Sequence, residues 1–484
     1  MTRDARRVVV LGGGVTGLTT CYRLLQASKE QNLFTEVHLI EASHRLGGVI
    51  ETEITDGVLM EKGPDCFLTS KPEGVELCEE LGLGGELIGT NERYRRSFVL
   101  RGDELLPVPE GYYLLAPYRI GPFMMTPIFS PLGKLRMAMD VLMPRKKGDA
   151  DESLADFVRR RFGREALERM AQPMVAGIYS ADPERLSLKA TMPQFHEIER
   201  EHRSLILGLR KRMQRRGSGE GVSASGPRYG LFVSFARGMG VLVDALAEKI
   251  SGAMVRTGCR AESLERNEGG WRVHLQGGEK VDTDAVCVTL PPSAAGRMLE
   301  RVSPPLSEEL MSIPSGSLAT FNLVYRAEQV ANPLHAMGFV VPAMENKTLL
   351  ACSFSSTKFA GRAPEGKLLI RAFAGGEAAS RAGLADDELV RKLLEELRLI
   401  LGISGEPEAS VFYRYEESLP HYLVGHLDKV GRIEDELKAA PGLALAGNAY
   451  CGVGIPDCIK SANDAAEKIS GDLRAVNSRE KRGQ

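Results

Sequence analysis

After a polar start, residues 7 to 11 form a short β-branched run that ends in a glycine cluster, Gly12-Gly13-Gly14. An apolar run of that length closed by turn residues predicts a buried strand. Leu18 to Ala27 then carries apolar positions at helical spacing, and Val37 to Ile40 is a second strand-like run. Together they predict a β-α-β unit. Its linker, Ser28 to Thr35, is longer than a tight return and predicts an extra surface turn.

From Gly111 to Pro144 the pattern changes. Aromatic, Met and Leu residues from Tyr112 to Met143 crowd together with several prolines, which predicts short amphipathic helices. Ser153 to Ala171 reads as helix, with Ser153 as N-cap and Leu154, Phe157, Val158 and Phe162 on one side. A basic helix end, Arg210 to Arg216, runs into the Gly/Ser-rich stretch Gly217 to Pro227 and marks the clearest internal boundary. Beyond it Met239 to Ile250 predicts a helix, Trp271 to Leu275 and Ala285 to Thr289 predict strands, and Pro291-Pro292 closes the segment. Strand and turn signals dominate from Leu318 to Tyr415. Leu443 to Asn448 is a short strand entering a glycine turn, followed by a helix from Pro456 to Leu473 and a frayed polar tail from Asn477 to Gln484.

At 484 residues the chain exceeds what one core usually serves, so two or three domains and a large buried pocket are expected. Lys and Arg number 62 against 64 Asp and Glu, and the formal charge of -2 leaves no global field to attract nucleic acid. Eight cysteines form no C-x-x-C pair and no zinc-spaced cluster with histidine. They read as reduced thiols, and no metal site is expected. Too little chain precedes the first strand for a signal peptide, and no run reaches the roughly 18 to 20 apolar residues of a spanning helix. The expectation is a cytoplasmic protein.

The triplet Gly12-x-Gly14-x-x-Gly17 sits between strand and helix, where Gly12, Gly13, Gly14 and Gly17 allow a tight turn and a close approach of backbone to a pyrophosphate. Backbone N–H groups at the helix start, Val15 and Thr16 among them, face the phosphates. Glu41, followed by Ala42, ends the second strand, where a carboxylate accepts hydrogen bonds from ribose hydroxyls. The segment Arg45-Leu46-Gly47-Gly48 offers a guanidinium and paired glycines as a second hold on diphosphate oxygens. These features narrow the cofactor to FAD. At the far end Gly447-Asn448 and Gly454-Ile455-Pro456 precede the last helix, whose positive end would stabilise the negative charge of a reduced flavin.

The arrangement resembles the flavin amine oxidase superfamily, and the segments Gly63-Pro64-Asp65-Cys66-Phe67-Leu68, Ala176 to Pro183, Pro193-Gln194-Phe195, His202 to Ile206 and Phe235 to Met239 resemble the oxygen-dependent protoporphyrinogen/coproporphyrinogen oxidase family over nearly the whole chain. The resemblance implies that Gly63, Pro64 and Asp65 approach the flavin ring and that the backbone of Ala261, where relatives often carry Val, contacts adenine. It implies oxidation of a porphyrinogen substrate, either coproporphyrinogen III or protoporphyrinogen IX, in haem biosynthesis. Six electrons would leave in three hydride transfers to flavin N5, with O2 as acceptor giving H2O2. No protein residue is then assigned a catalytic role. By the same pattern Phe67 is carried over for ring contact, and Lys71 and Arg96 for the propionates. Arg96 belongs to a charge run with Arg93, Arg95 and Arg101, and His202 reads as structural. The resemblance also implies contact with the next haem-pathway enzyme, and a peripheral contact with the inner face of the membrane as the alternative to a core role for 112 to 143, the core role being favoured. The oligomeric state stays open.

The fold class that follows is α/β, α+β overall. A Rossmann-like FAD-binding domain (1–90, 228–300 and 440–484) is joined to a mixed-sheet substrate domain (91–111 and 301–439), with an inserted helical subdomain (112–227) ending in the basic, Gly/Ser-rich stretch. Two alternatives remain: another amine oxidase or carotenoid desaturase-type oxidoreductase, and a non-catalytic binding protein with the architecture of the Rab GDP-dissociation inhibitors.

Overall fold

Residues 6–30, 35–217, 231–375 and 385–482 are described by a computed structural model. The first strand, Arg6–Leu11, pairs in parallel with Thr35–Ile40 on one side and with Ala285–Val288 on the other. Met254–Arg256 and Leu443–Leu445 complete a five-stranded sheet in which every pairing is parallel. Both faces are covered, which is why the central strand reads as an unbroken Val run. Val8 and Val10 pack with Leu18, Cys21 and Ile459, while Val9 and Leu11 pack on the opposite side with Trp271, Val273 and Leu299. Residues 31–34 of the expected linker, and the Gly/Ser-rich stretch from 218 onward, lie outside the described residues.

The helix Val15–Glu30 packs along Ile455–Arg482 from the far end of the chain, and Arg23 Nε donates to Asn463 Oδ1 at 2.9 Å. This last helix continues beyond the expected stop at Leu473, because the polar positions that suggested fraying remain compatible with helix. Pro292 opens a helix, Pro292–Leu299, where the sequence suggested only a stop: proline suits a first helical turn.

A seven-stranded sheet runs in the order Ala409–Pro420, Ser315–Arg326, Lys367–Gly375, Leu349–Ser353, Gly338–Val340, Ser97–Arg101, Glu104–Pro107. It is mixed, with one parallel pairing, between Gly338–Val340 and Ser97–Arg101. One face carries Phe321, Leu323 and Ile370 against Leu393 and Leu397 of the helix Asp386–Leu401. That helix stands inside a region where only strands and turns were expected. Its apolar positions Leu389, Leu393, Leu397 and Ile400 have helical spacing, and the strand-rich surroundings obscured them. The other face of the sheet meets the strand Val58–Glu61, where Val324 and Leu369 pack on Val58 and Met60.

The helical layer has a polar centre. Arg161 and Asp140 are wholly buried, with Arg161 Nε donating to Asp140 Oδ1 at 2.8 Å and Ser204 Oγ donating to Asp140 Oδ2 at 2.6 Å. Glu199 accepts from Arg160 at 2.6 Å and lies 3.4 Å from Arg161. The single helix expected over Ser153 to Ala171 is broken at Gly163, whose φ of 91° is open to glycine, and Leu154–Phe162 ends there. Ser153 caps as expected, its hydroxyl accepting from Asp156 N–H at 3.0 Å. The core reading of 112–143 needs correction. Phe123, Ile128, Phe129 and Met137 are buried, but Met125, Leu132 and Leu142 are 85%, 79% and 76% exposed, and Leu135 is exposed beside them. No described helix is long and apolar enough to cross a membrane.

Candidate functional site

At the C-terminal end of the central strand the chain turns through Gly12 into the helix Val15–Glu30. A Cβ on Gly17 would lie 1.9 Å from the Gly12 carbonyl oxygen, so only glycine lets helix and turn approach this closely. A Cβ on Gly14 would instead meet nothing nearer than the Gly48 Cα at 4.0 Å, which leaves open space before the helix N-terminus. Gly47 N–H donates to Gly13 O at 2.8 Å, and Gly14 and Gly47 form a parallel bridge. The two glycine segments separated in sequence therefore form one cradle, with Val15 and Thr16 at the helix start beside it. These residues fit a diphosphate.

Glu41 lies beside Ala42 at the rim. Its two carboxylate oxygens accept from Gly13 N–H at 2.6 Å and Ser43 N–H at 2.7 Å. A carboxylate has about four lone-pair sites, so acceptor capacity for ribose hydroxyls is left over. Arg45 does not stand free for phosphate as expected. It donates to the carbonyls of Leu46, Gly48 and Ile50 and pairs with Glu51 at 2.8 Å, fixing the shape of its own loop. Cys259 N–H donates to Glu41 O at 2.9 Å, and an open pocket of about 630 Å³ lined by Val255 to Cys259, Gln276 and Gly277 adjoins that point. Ala261, half-buried, begins the next strand, which bulges between Ala261 and Ser263.

The Gly63-Pro64-Asp65 segment is held by cations from the strand Lys367–Gly375 and the short helix Ser355–Lys358 before it. A Cβ on Gly63 would lie 1.7 Å from Val49 O, so its backbone is pressed against the Gly47-Gly48 loop's continuation. Arg371, buried on the strand Lys367–Gly375, donates to the carbonyls of Lys62 and Gly63. Lys358 Nζ is 2.8 Å from Asp65 Oδ2 and 3.3 Å from Cys66 Sγ. Burial pulls the Asp65 carboxyl upward, but Lys358 and Arg371 outweigh it and hold the group well below the usual carboxylate range. Burial and Asp65 push the Cys66 thiol up to about 12. Arg362, also buried, donates to Ser234 Oγ at 2.7 Å and Phe235 O at 3.0 Å. None of these three cations was foreseen, although Arg371 in the alternating run Leu369-Ile370-Arg371-Ala372-Phe373 carried the signal of a charge on a strand's buried face.

The far cradle wall is Gly447 to Pro456. Gly447 N–H donates to Ser461 Oγ at 3.0 Å, Asn448 Nδ2 donates to Ser418 O at 3.2 Å, and Gly454 N–H donates to Asp457 Oδ2 at 3.2 Å, with Ile455 starting the helix and Pro456 in its first turn. Two further residues the sequence reading missed meet this loop. Tyr422 OH donates to Asn448 O and accepts from Gly452 N–H, and His426 Nε2 lies 3.1 Å from Tyr450 O. The flanking Gly425 was their only sequence signal.

The expected substrate contacts fare unequally. Phe67 is only 4% exposed and packs on Phe235 and against Gly74, so it presents no open face to a substrate ring. Lys71 Nζ is 2.5 Å from Asp457 Oδ1 and so is tied to the start of the last helix. Arg96 is exposed, and among the described residues its guanidinium has no recorded partner, whereas Arg95 pairs with Glu92, Arg93 lies over the Tyr94 ring and Arg101 donates to Pro127 O. His202 ends its helix 3.5 Å from Glu201. Half-buried Leu318, Val340, Ala351 and Phe373 share the sheet face that carries Arg371 and Thr320, by the cross-strand pairs Leu318 to Gly375, Ala351 to Phe373 and Val340 to Ala351.

A family model described as flavin containing amine oxidoreductase matches residues 15–470. The chain is 36% identical to coproporphyrinogen III oxidase of Bacillus subtilis (strain 168) over 467 residues, covering 96% of this chain and 98% of that protein. It is 30% identical to protoporphyrinogen oxidase of Bos taurus over 494 residues, covering 96% and 98%. Among solved structures it resembles a provisionally assigned protoporphyrinogen oxidase from Exiguobacterium sp. 255-15, with a TM-score of 0.84, 30% identity and coverage of 96% and 98%. Reduced UDP-galactopyranose mutase shares the fold at a TM-score of 0.71 and 15% identity, over 96% of each chain.

Burial holds the His426 pKa down to about 4 from its ordinary 6.5. A depressed folded value means that the unfolded chain takes up the proton first as pH falls, so stability present above pH 6.5 is lost between there and about 4. From this group the expected loss is roughly 3 kcal/mol. Urea unfolding at neutral pH and near pH 4.5 should show it, and His426→Phe should flatten the dependence; an unchanged pH slope in the variant would assign the loss elsewhere.

Proposed function

The chain belongs to the flavin containing amine oxidoreductase family, and on that premise we propose that it oxidises a porphyrinogen to the porphyrin in haem biosynthesis, with FAD as its flavin and O2 as electron acceptor. The observation that carries this reading is the end-to-end correspondence with relatives named coproporphyrinogen III oxidase, 36% and 31% identical over 96% and 97% of the chain. For the same reason coproporphyrinogen III is the favoured substrate over protoporphyrinogen IX. When bound, the flavin would supply the redox chemistry, each two-electron oxidation of the macrocycle being balanced by reduction of one O2 to H2O2.

The chain's own residues bind and orient. In this reading Gly12 to Gly17 and Glu41 hold the diphosphate and ribose, with Arg45 keeping Gly47 and Gly48 in place behind them. Gly63, Pro64 and Asp65 back the flavin ring, and the N-terminus of Ile455–Arg482 supports negative charge at its polar end. Leu318, Val340, Ala351 and Phe373 form the apolar wall of a slot for a flat ring, and Arg96, the guanidinium left unpaired, meets its carboxylates. The FAD-binding part then comprises 1–90, 228–300 and 440–484, the substrate part 91–111 and 301–439, and the helical cover 112–227. The exposed Met125, Leu132, Leu135 and Leu142, with Lys134, Arg145 and Lys147 in the same stretch, favour a peripheral contact of this cover with an anionic membrane surface.

The purified protein should be yellow and should bleach when a porphyrinogen is added without air; a colourless protein, or a yellow one that stays oxidised, overturns the reading. Under air, kcat/KM should be higher for coproporphyrinogen III than for protoporphyrinogen IX, and the reverse order exchanges the substrates. Arg96→Ala is expected to raise KM about tenfold or more with little change in kcat, as befits a contact made equally in ground and transition states; parental kinetics remove Arg96 from the site. Co-sedimentation with anionic vesicles should be lost in Leu132→Glu/Leu142→Glu, and a parent protein that stays in the supernatant ends the membrane proposal.

A further inference from the structure

One short segment, Tyr422 to His426, touches all three parts of the molecule. Toward the flavin side it holds the loop before the last helix at both ends: Tyr422 OH donates to Asn448 O at 2.5 Å and accepts Gly452 N–H at 2.8 Å. A single hydroxyl thus closes the five-residue span Asn448 to Gly452, whose Gly452 has a φ of 146°. The His426 ring stacks on Tyr422 with centroids 4.0 Å apart and planes 10° from parallel, and its Nε2 reaches Tyr450 O between the two anchor points. Tyr422 is 1% exposed and His426 is 3% exposed, while Asn448 and Gly452 of the loop they hold are half-buried.

On its other side the same segment is tied to the helical cover. Ser187 N–H donates to Tyr422 O at 2.8 Å, Val424 N–H donates to Arg185 O at 3.0 Å, and Gly425 N–H donates to Asp151 Oδ2 at 3.2 Å. The Tyr179 ring, at the end of Gln172–Tyr179, lies 6.5 Å from the Tyr422 ring. Upstream, the segment continues the strand Ala409–Pro420 of the seven-stranded sheet. Backbone contacts alone would attach it to the cover, and a phenylalanine would fill the same volume. The hydroxyl adds only the bond pair to the Asn448–Gly452 loop.

We propose that Tyr422, supported by His426, is a positioning residue that fixes the loop Asn448 to Gly452, and through it the N-terminus of the last helix, against the flavin. The inference rests on the flavin reading above and adds the residue that sets the loop's geometry. With the hydroxyl gone, the Asn448 carbonyl and the Gly452 N–H lose the common partner that ties them together, and the loop relaxes away from its fixed position. A helix terminus that stabilises a reduced, more negative flavin acts over a short range, so its displacement weakens the reduced state more than the oxidised one.

The test compares Tyr422→Phe with Tyr325→Phe in the full-length holoenzyme. Tyr325 is buried in the sheet core and its hydroxyl has no partner among the described residues, so its loss is a control for removing one buried oxygen. Tyr422→Phe is expected to keep the parent's circular dichroism, to bind oxidised FAD more weakly than the parent and to lower the two-electron flavin midpoint by about 30 mV, the equivalent of a tenfold greater loss of affinity for the reduced than for the oxidised flavin. Tyr325→Phe should alter neither quantity. Should Tyr422→Phe fail to fold, His426→Phe keeps the stacked ring and removes only the polar contact to Tyr450 O, and a smaller shift of the same sign is expected. Parental FAD affinity and midpoint in the folded variants overturn the positioning role while leaving the flavoenzyme reading intact. A parent protein that binds no flavin overturns both.

Discussion

The structure depends on the parallel pairing of Arg6–Leu11 with Ala285–Val288, segments separated by most of the chain. Forming that ladder closes a very long loop, but the entropic cost of loop closure grows only with the logarithm of its length, so the intervening chain can be large without undoing it. The helical layer is built inside that loop, most of the seven-stranded sheet is built after it, between Ala285–Val288 and Leu443–Leu445, and the chain returns from both to the same sheet. The binding cradle lies where these returns converge, at the C-terminal ends of the parallel strands, the place such sheets leave open for a ligand. Gly12, Glu41 and Gly447 each follow one of those strand ends.

The layers are held together by charge buried against backbone as well as by apolar packing. Arg371 from a strand of the seven-stranded sheet, Lys358 from the short helix Ser355–Lys358 and Arg362 from the turn after it end on carbonyls, a hydroxyl and one carboxylate of the cradle layer. Such groups are costly to bury and contribute little net stability, but a cation without its partner is far worse, so the two layers fit in one relative position only. The same logic holds within the helical cover, where Arg161 and Asp140 fix a turn that apolar contacts would leave free to slide.

What the sequence revealed was local. The strand, glycine turn, helix and acid around Gly12 to Glu41 were legible because spacing along a few residues sets their geometry. So were the Ser153 cap and the start of the last helix. Arg45 was recognised as belonging to the cradle, but its role as a brace depends on carbonyls whose direction spacing does not encode. Phe67 was read as a ring contact by the family resemblance, yet the packing of Phe235 and Gly74 around it is a tertiary fact. Lys358, Arg371 and Tyr422 escaped notice because each acts on a segment far away in the chain. The exposed half of 112–143 has the composition of a core, and only the burial of Phe123 and Phe129 beside it shows which residues face inward.

The cradle's last wall is synthesised after all its other walls. Leu443–Leu445 adds the outer strand beside Ala285–Val288, and Ile455–Arg482 then lies along Val15–Glu30. While a nascent chain is still emerging, its first glycine turn has only half of the walls that would enclose a cofactor, and the neighbouring apolar surfaces of the first helix lack their cover. Enclosure of the cradle therefore waits for residues 443 to 482, and a chain cut short before residue 443 would retain the opening motif without the walls that close it.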